Sequence, residues 1–309
     1  MPSPEMQAVI EALWQRKAAR AGGSPRTLAV VRETLAPAGQ RHAMPSDIAV
    51  EQVDAGGVPG CWLTAPGADR DRVLLYLHGG GYSAGSFASH APLAAHLGRA
   101  TGRRVLFPEY RLAPEHRFPA AADDSLAAWR WLVTDGGADA ASAVVAGDSA
   151  GGGLALGLLH RLRDDGEDLP AGAVLISPFL DCTASGTSLQ DRVGQDPIFT
   201  RDLIRGMGPV YLGNADPRDP AASPLFASHA GLPPLLIQVG TEEVLLDDSL
   251  RLNHRAREQG VSTTLEVWDE MIHVWHFFHP QLQEGREAIG RVGDYVREHV
   301  AAPQAAAVA

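Results

Sequence analysis

Cysteine is scarce: Cys61 and Cys182 are the only two in 309 residues. That is too few for a disulfide framework and lacks metal-site spacing, so reduced, buried thiols are expected. Clustered Lys and Arg are also missing from a chain of net charge −11. This argues against a nucleic-acid or anionic-membrane surface and leaves small molecules as the expected partners. No charge-free apolar run is long enough to span a bilayer, and Glu5, Glu11, Arg16 and Lys17 interrupt any signal-peptide core near the start. The expectation is a cytoplasmic protein with no membrane insertion. Internal repeats are absent. No Gly-Lys-Ser/Thr follows a glycine run and no dinucleotide glycine spacing occurs, so phosphate-binding and nucleotide-cofactor readings fail.

What is present is an ordinary globular composition, 45% hydrophobic and 20% charged, long enough for one sizeable domain with an appended element. Met6, Val9, Ile10, Leu13 and Trp14 recur at helical spacing over 4–20, and a second helix carrying Leu28, Val31 and Leu35 is predicted to end near Pro37. An entry hairpin over 48–53 and 61–64 follows, around a Gly-rich turn. Strands are then predicted at 73–77, 104–107, 143–146, 173–176, 235–239 and 263–267, with helices near Ala91, Ala122, Leu154, Leu250 and Ala288. Such alternation predicts an α/β fold with a mostly parallel central sheet covered by helices on both faces. Residues 187–222, with a helical core over 203–211, are too long for a simple loop. They are expected to form, with 1–45, a helical cap over a catalytic core of 46–186 and 223–300. Residues 301–309 read as a flexible tail.

The chemistry centres on Gly147-Asp148-Ser149-Ala150-Gly151-Gly152-Gly153. A short apolar run ends at Gly147 and a helical run begins at once, so Ser149 sits on the tight strand-to-helix turn of a Gly-x-Ser-x-Gly nucleophile elbow. A serine hydroxyl needs a base and an orienting carboxylate, which in this arrangement follow in the order serine, acid, histidine. After the strand at 235–239 come Glu242, Glu243, Asp247 and Asp248. The two aspartates directly precede a helical segment and read as caps of its first turn, leaving Glu242 or Glu243 as the acid. After the last strand, His273, His276 and His279 compete. His273 comes first and best suits a loop reaching over the sheet edge. The three-residue histidine spacing also admits a zinc reading, which would leave Ser149 and its glycines unexplained. His78-Gly79-Gly80-Gly81-Tyr82 ends the strand at 73–77 and offers bare amides for an oxyanion, with Ala150 adding another donor. Acyl transfer uses all of these parts.

These motifs, with Tyr110-Arg111-Leu112-Ala113-Pro114-Glu115-His116-Arg117-Phe118-Pro119-Ala120 and Ser177-Pro178-Phe179-Leu180-Asp181, resemble the bacterial branch of the hormone-sensitive lipase family of α/β-hydrolase esterases. The resemblance spans about residues 70–280. It implies Ser149 as nucleophile, His273 as base, and the amides of Gly80, Gly81 and Ala150 as oxyanion hole. Where the family usually has Asp-Pro-Leu-x-Asp, this chain has Glu243-Val244-Leu245-Leu246-Asp247, which puts Glu243 in the acid's position. The usual His-Gly-Phe is His273-Val274-Trp275 here. Asp148 and His78 are expected to organise loops. The resemblance implies hydrolysis of short- to medium-chain carboxylic esters without cofactor or metal, and makes a homodimer paired through the last strand plausible. Tyr82, Phe118, Trp275, Leu13 and Trp14 are expected to line an apolar substrate cleft. Lactone or N-acetyl amide hydrolysis would use the same parts. A non-catalytic small-molecule-binding module of this fold would lack the base that His273 supplies.

Overall fold

The structure, a computed structural model, describes residues 2–20, 27–40 and 44–300. The tail expected at 301–309 lies outside the described residues. The chain begins with α1 (Pro4–Arg20) and α2 (Leu28–Gln40). The second helix continues past Pro37, where the sequence reading ends it. A proline removes one backbone donor but does not forbid helical geometry in the residues after it. The entry hairpin follows, β1 (Ala49–Asp54) antiparallel to β2 (Pro59–Thr64), with Asp54 opposite Pro59.

The alternating part runs β3 (Asp69–Leu77), α3 (Phe87–Thr101), β4 (Arg103–Pro108), α4 (Ala120–Val133), β5 (Val144–Asp148), α5 (Ala150–Asp165) and β6 (Gly172–Ile176). Residues 187–222 carry α6 (Ser188–Asp191) and α7 (Arg201–Leu212). Then come β7 (Leu235–Gly240), α8 (Leu246–Glu258), β8 (Thr263–Trp268) and α9 (Gln283–His299). Among the described residues the eight strands join one sheet in the order β1-β2-β4-β3-β5-β6-β7-β8. β2 is antiparallel to both its neighbours, and every pairing from β4 to β8 is parallel. The loops that leave β3, β5, β6, β7 and β8 therefore emerge at one edge, the carboxyl end, where ligands bind in open α/β sheets.

Successive side chains on a strand point to opposite faces, and both faces here are apolar. Val73, Leu75, Leu77, Val145, Leu175 and Ile237 enter one buried cluster, joined by Leu126 of α4, Leu156 and Leu159 of α5 and Leu252 of α8. Leu74, Tyr76, Val144, Ala146, Val174 and Leu236 enter the other, joined by Leu93 and Leu97 of α3 and Val292 and Val296 of α9. This explains why the strands read as continuous apolar runs rather than alternating ones. Leu75 is fully buried, and truncating such a leucine to alanine costs about 2–5 kcal/mol. A third cluster seats the N-terminal helix: Met6 of α1 is buried with Met271, Ile272, Trp275, Leu282 and Ala288, and Val9, Ile10 and Leu13 pack against them. Two further ties fasten the N-terminal helices. Lys17 of α1 reaches the carbonyls of Asp196 and Phe199, and Arg32 of α2 donates to the carbonyls of Ser83 and Ala113 and pairs with Glu115.

Candidate active site

β5 ends at Asp148 and α5 begins at Ala150, so Ser149 alone turns the chain, at φ 51° and ψ −120°. A non-glycine residue in that region is strained by about 1–3 kcal/mol. The surroundings hold it there. The Ser149 N–H donates to the Ile176 carbonyl at 2.8 Å, and its own carbonyl accepts from Phe179 at 2.9 Å. A Cβ on Gly151 would fall inside the Leu77 carbonyl, and one on Gly147 inside the Gly151 backbone. Strand and helix thus cross backbone to backbone, leaving Ser149 buried but for 7% of its surface.

The loop after β3 lies alongside. Asp148 Oδ1 accepts the Tyr76 hydroxyl at 2.6 Å and the Gly79 N–H at 2.9 Å, and its Oδ2 is 3.6 Å from His90 Nε2. Burial alone would raise this carboxyl, but His90 and the Tyr76 bond hold it below the usual carboxylate range. Asp148, the residue before Ser149, therefore anchors the glycine loop as an anion. His78 is buried and stacked on Tyr110 at 4.2 Å, with Nδ1 2.8 Å from the Gly79 carbonyl. Burial, reinforced by His90, pushes its pKa down to about 3, so it stays neutral. Tyr110 donates to the His78 carbonyl at 2.6 Å, and Ala113 donates to the Tyr82 carbonyl at 2.9 Å. The segment beginning Tyr110-Arg111-Leu112-Ala113 thus braces the loop from behind. Gly80 and Gly81 both have positive φ, 120° and 61°, which lets the backbone coil tightly with no side chain in the way. Met207 of α7 covers the loop, its sulfur 3.0 Å from where a Gly81 Cβ would stand. Ala150 heads α5, where helix amides lack intrahelical partners and the dipole is positive.

Glu243 follows β7 and is fully buried. Its Oε1 accepts the Gly240 N–H and the Ser177 hydroxyl, both at 2.7 Å, and its Oε2 lies 2.8 Å from His273 Nδ1. A carboxylate only accepts, so Nδ1 carries the proton and Nε2 is left as the basic nitrogen. Burial works against the charged form of His273. The Glu243 charge and hydrogen bond, aided by Asp196 and Asp148, outweigh it and hold the ring above the ordinary imidazole value. Phe199 meets the His273 ring edge-on at 4.8 Å. Glu242 is half-buried, its Oε1 3.4 Å from the Thr241 hydroxyl. Of the two glutamates, Glu243 is the one brought to His273.

The other histidines have their own partners. His276 Nε2 meets Gln238 Oε1 at 2.9 Å and burial pushes its pKa down to about 3. His279 Nδ1 donates to the His276 carbonyl at 3.0 Å. No group of three metal-ligating side chains occurs among the described residues.

The capping roles expected of Asp247 and Asp248 need correction. Helix α8 starts at Leu246, so both lie inside its first turn and reach elsewhere. Asp247 accepts the Thr187 hydroxyl at 2.7 Å and the Ser188 N–H at 3.0 Å, so it caps the start of α6. Asp248 accepts the N–H groups of Leu180 and Asp181 and pairs with Arg251 at 2.8 Å, while burial pushes it up to about 7. Partners some 60 positions away leave no local trace.

The residues expected to line a cleft divide. Trp275 is fully buried in the cluster under α1, its indole N–H 3.3 Å from the Glu284 carbonyl, so it faces the interior. Tyr82 is likewise buried, stacked on Tyr211 at 3.8 Å with its hydroxyl 3.2 Å from the Phe179 carbonyl. Its ring supports the glycine loop from inside. Phe118 is half-buried against the edge of Tyr211, and Leu13 is half-buried against the Trp275 cluster. Trp14 lies under the Lys17 ammonium at 4.7 Å. Three residues to which the sequence reading gave no role in the site touch it: Ser177, quoted there only within a motif, through Glu243, Phe199 through His273, and Asp196, which accepts the Val244 N–H at 3.0 Å. Asp196-Pro197 is legible as a turn. Its bond to a residue 48 positions later is not.

A parallel sheet with a strained serine after its fifth strand, a glycine loop after its third and a carboxylate–histidine pair after its seventh and eighth defines the class of α/β-hydrolases. A family model described as the alpha/beta hydrolase fold matches residues 74–277. An acetyl-hydrolase of Streptomyces hygroscopicus is 43% identical over 300 residues, 96% of this chain and 97% of that one. An ethyl acetate hydrolase of Pseudomonas putida is 35% identical over 74% of this chain and 73% of its own. Among solved structures, an esterase from the bacterial hormone-sensitive lipase family superposes with a TM-score of 0.92 at 43% identity, covering 97% of this chain and all of that one. An esterase soaked with p-nitrophenyl butyrate gives 0.91 at 45% identity, covering 97% of this chain and all of the other. The chain belongs to the α/β-hydrolase fold family, in its bacterial hormone-sensitive lipase branch, and is a carboxylic ester hydrolase.

Proposed function

We propose that this esterase cleaves short- to medium-chain carboxylic esters through Ser149, His273 and Glu243 by way of an acyl-enzyme. The observation that carries the reading is the 2.8 Å bond between Glu243 Oε2 and His273 Nδ1, which fixes the tautomer whose Nε2 is basic. In the first step Nε2 takes the Ser149 proton as Oγ attacks the ester carbonyl. The oxyanion is met by the N–H groups of Gly80, Gly81 and Ala150, and the imidazolium returns the proton to the leaving alcohol. Water then repeats the sequence and releases the acid. Glu243 holds the ring and stabilises its charged form. Each oxyanion donor contributes about 3–4 kcal/mol in such sites.

The two segments 1–45 and 187–222 act as the cap over this edge, supported by the bonds from Lys17 to Asp196 and Phe199 and by Met207 above Gly81. The similarity to an acetyl-hydrolase and to an ethyl acetate hydrolase favours short acyl chains. No helix among the described residues is long and apolar enough to cross a membrane. Cys61 and Cys182 are buried, unpaired thiols. A homodimer paired through β8, the last strand of the sheet, belongs to the same proposal and is tested by light scattering in solution. The central test is a series of p-nitrophenyl esters from acetate to decanoate, with lactones and N-acetyl amides beside them. Turnover should peak at short chains and vanish in Ser149→Ala. A serine variant that still turns over at near the parental rate would remove the nucleophile assignment.

A further inference from the structure

We propose that Asp196 is a positioning residue for ester cleavage, one carboxylate that fixes both the loop carrying Glu243 and the aromatic ring packed on His273. This rests on the reading of Ser149, His273 and Glu243 given above. Asp196 lies between α6 and α7 and is fully buried. Its Oδ1 accepts the N–H groups of Ile198 at 2.7 Å and Phe199 at 2.8 Å. Local turn formation would end there, with the other oxygen facing solvent. Here Oδ2 instead accepts the Val244 N–H at 3.0 Å, the amide directly after Glu243.

The same carboxylate thus touches both partners of the acid–base pair at one remove. Through Val244 it sets the height of the Glu243 loop. Through Phe199 it sets the ring that meets His273 edge-on at 4.8 Å. Lys17, the only lysine in the sequence, closes the arrangement from α1. Its ammonium donates to the carbonyls of Asp196 at 2.5 Å and Phe199 at 2.8 Å. A charged acceptor binds backbone amides about twice as strongly as a neutral one, so three such bonds hold the 196–199 turn rigid while α1 pins its outer side. The N-terminal helix consequently acts on the chemical step and not only on substrate entry.

Electrostatics points the same way. The charges facing His273 are those of Glu243, Asp196 and Asp148, and all three favour its protonated form against burial. The groups facing Asp196 are the Lys17 ammonium and the His273 ring. Burial pushes the Asp196 carboxyl up, against the pull of its three amide bonds and His273.

The experiment compares Asp196→Asn with the parent, using rates per active site titrated with an organophosphonate, and with Ser149→Ala, whose rate is taken per mole of folded protein because it has no serine to titrate. Asparagine keeps the shape, but its NH2 group must face an amide donor. The expected result is a fall of about ten- to a hundredfold in kcat at little-changed KM, with the acid limb of kcat/KM displaced to lower pH. A residue that merely stabilised the fold would lower the number of titrated sites and leave both kcat per site and the limb in place. An Asp196→Asn enzyme with kcat within twofold of the parent and an unmoved limb overturns the inference while Ser149→Ala remains inactive. An active Ser149→Ala would instead overturn the reading on which it rests. Should Asp196→Asn fail to fold, Lys17→Met decides. A fall of threefold or more in kcat per titrated site at unchanged KM supports the positioning role, and an unchanged kcat overturns it.

Discussion

The Ser177 hydroxyl donates to Glu243 Oε1 at 2.7 Å while accepting the Val274 N–H at 3.2 Å. One buried side chain on the loop after β6 therefore ties Glu243 to the residue that follows His273. Ser177 itself sits at φ 44°, a strained setting for a non-glycine residue that persists because its neighbours determine it.

Ser177→Ala leaves the Val274 amide and one lobe of Glu243 without a partner inside the protein. Unfolding stability should drop by about 1–3 kcal/mol and kcat/KM by about tenfold, read by urea melts and by p-nitrophenyl acetate kinetics. An enzyme unchanged in both would show that Gly240 alone holds the glutamate.

The pH dependence follows from His273. The proposed mechanism needs its neutral ring, and Glu243 contributes to holding the pKa above the ordinary imidazole value. Activity therefore rises with pH through that raised pKa. Glu243→Gln removes the charge, so the acid limb should move to lower pH while the plateau falls by roughly 10²–10⁴-fold. Glu242→Gln should leave both within twofold. The pH–rate profiles of the two variants distinguish them, and a limb that moves only for Glu242→Gln would reverse the choice of acid.

Met207 of α7 lies against Gly81 in the glycine loop after β3. Shortening it in Met207→Ala removes that cover without touching Ser149, His273 or Glu243. The ratio of kcat/KM for octanoate over acetate should rise by about tenfold, the scale of a few methylenes' worth of apolar contact. An unchanged chain-length profile would place the acyl limit elsewhere.

His160 and His229 face each other at 3.0 Å between α5 and the segment before β7. Burial, with each other or nearby arginines adding, pushes them down to about 3 and about 4. Both are therefore neutral when folded and charge more readily when unfolded. Between about pH 6.5 and 4 the unfolded chain binds more protons, so stability falls as pH falls through that window. Removing one site, as in His229→Asn, should reduce the slope of unfolding free energy by up to about 1.4 kcal/mol per pH unit. Thermal melts at pH 7, 6, 5 and 4 test this, and parallel curves for parent and variant would contradict it.

Much of the architecture was legible in the chain itself. The inner parallel strands announced themselves as short apolar runs because a parallel sheet buries both faces, whereas the edge strands β1 and β8 are largely exposed or half-buried; Ser149 stood out because only glycines at 147 and 151 let strand and helix cross. The four-residue helix α6 escaped notice because one turn shows no periodicity. The orientation of Trp275 escaped because an aromatic next to a histidine reads the same whether it faces a cleft or, as here, the core under α1.

What the sequence by itself determined is local: the order of strands and helices, the strained serine between them, the glycine loop, and a carboxylate-rich segment preceding a final histidine. Those follow from backbone sterics and side-chain period, which act over a few residues. Only the tertiary structure showed Glu243, and not Glu242, hydrogen-bonded to His273, assigned Asp247 and Asp248 to the 180–188 segment, and brought Asp196, Lys17 and Phe199 to that pair. Hydrogen bonds between residues 48 or 66 positions apart depend on how the folded sheet brings its loops together. The free energy that selects them comes from burying the whole core, and no short window of sequence contains it.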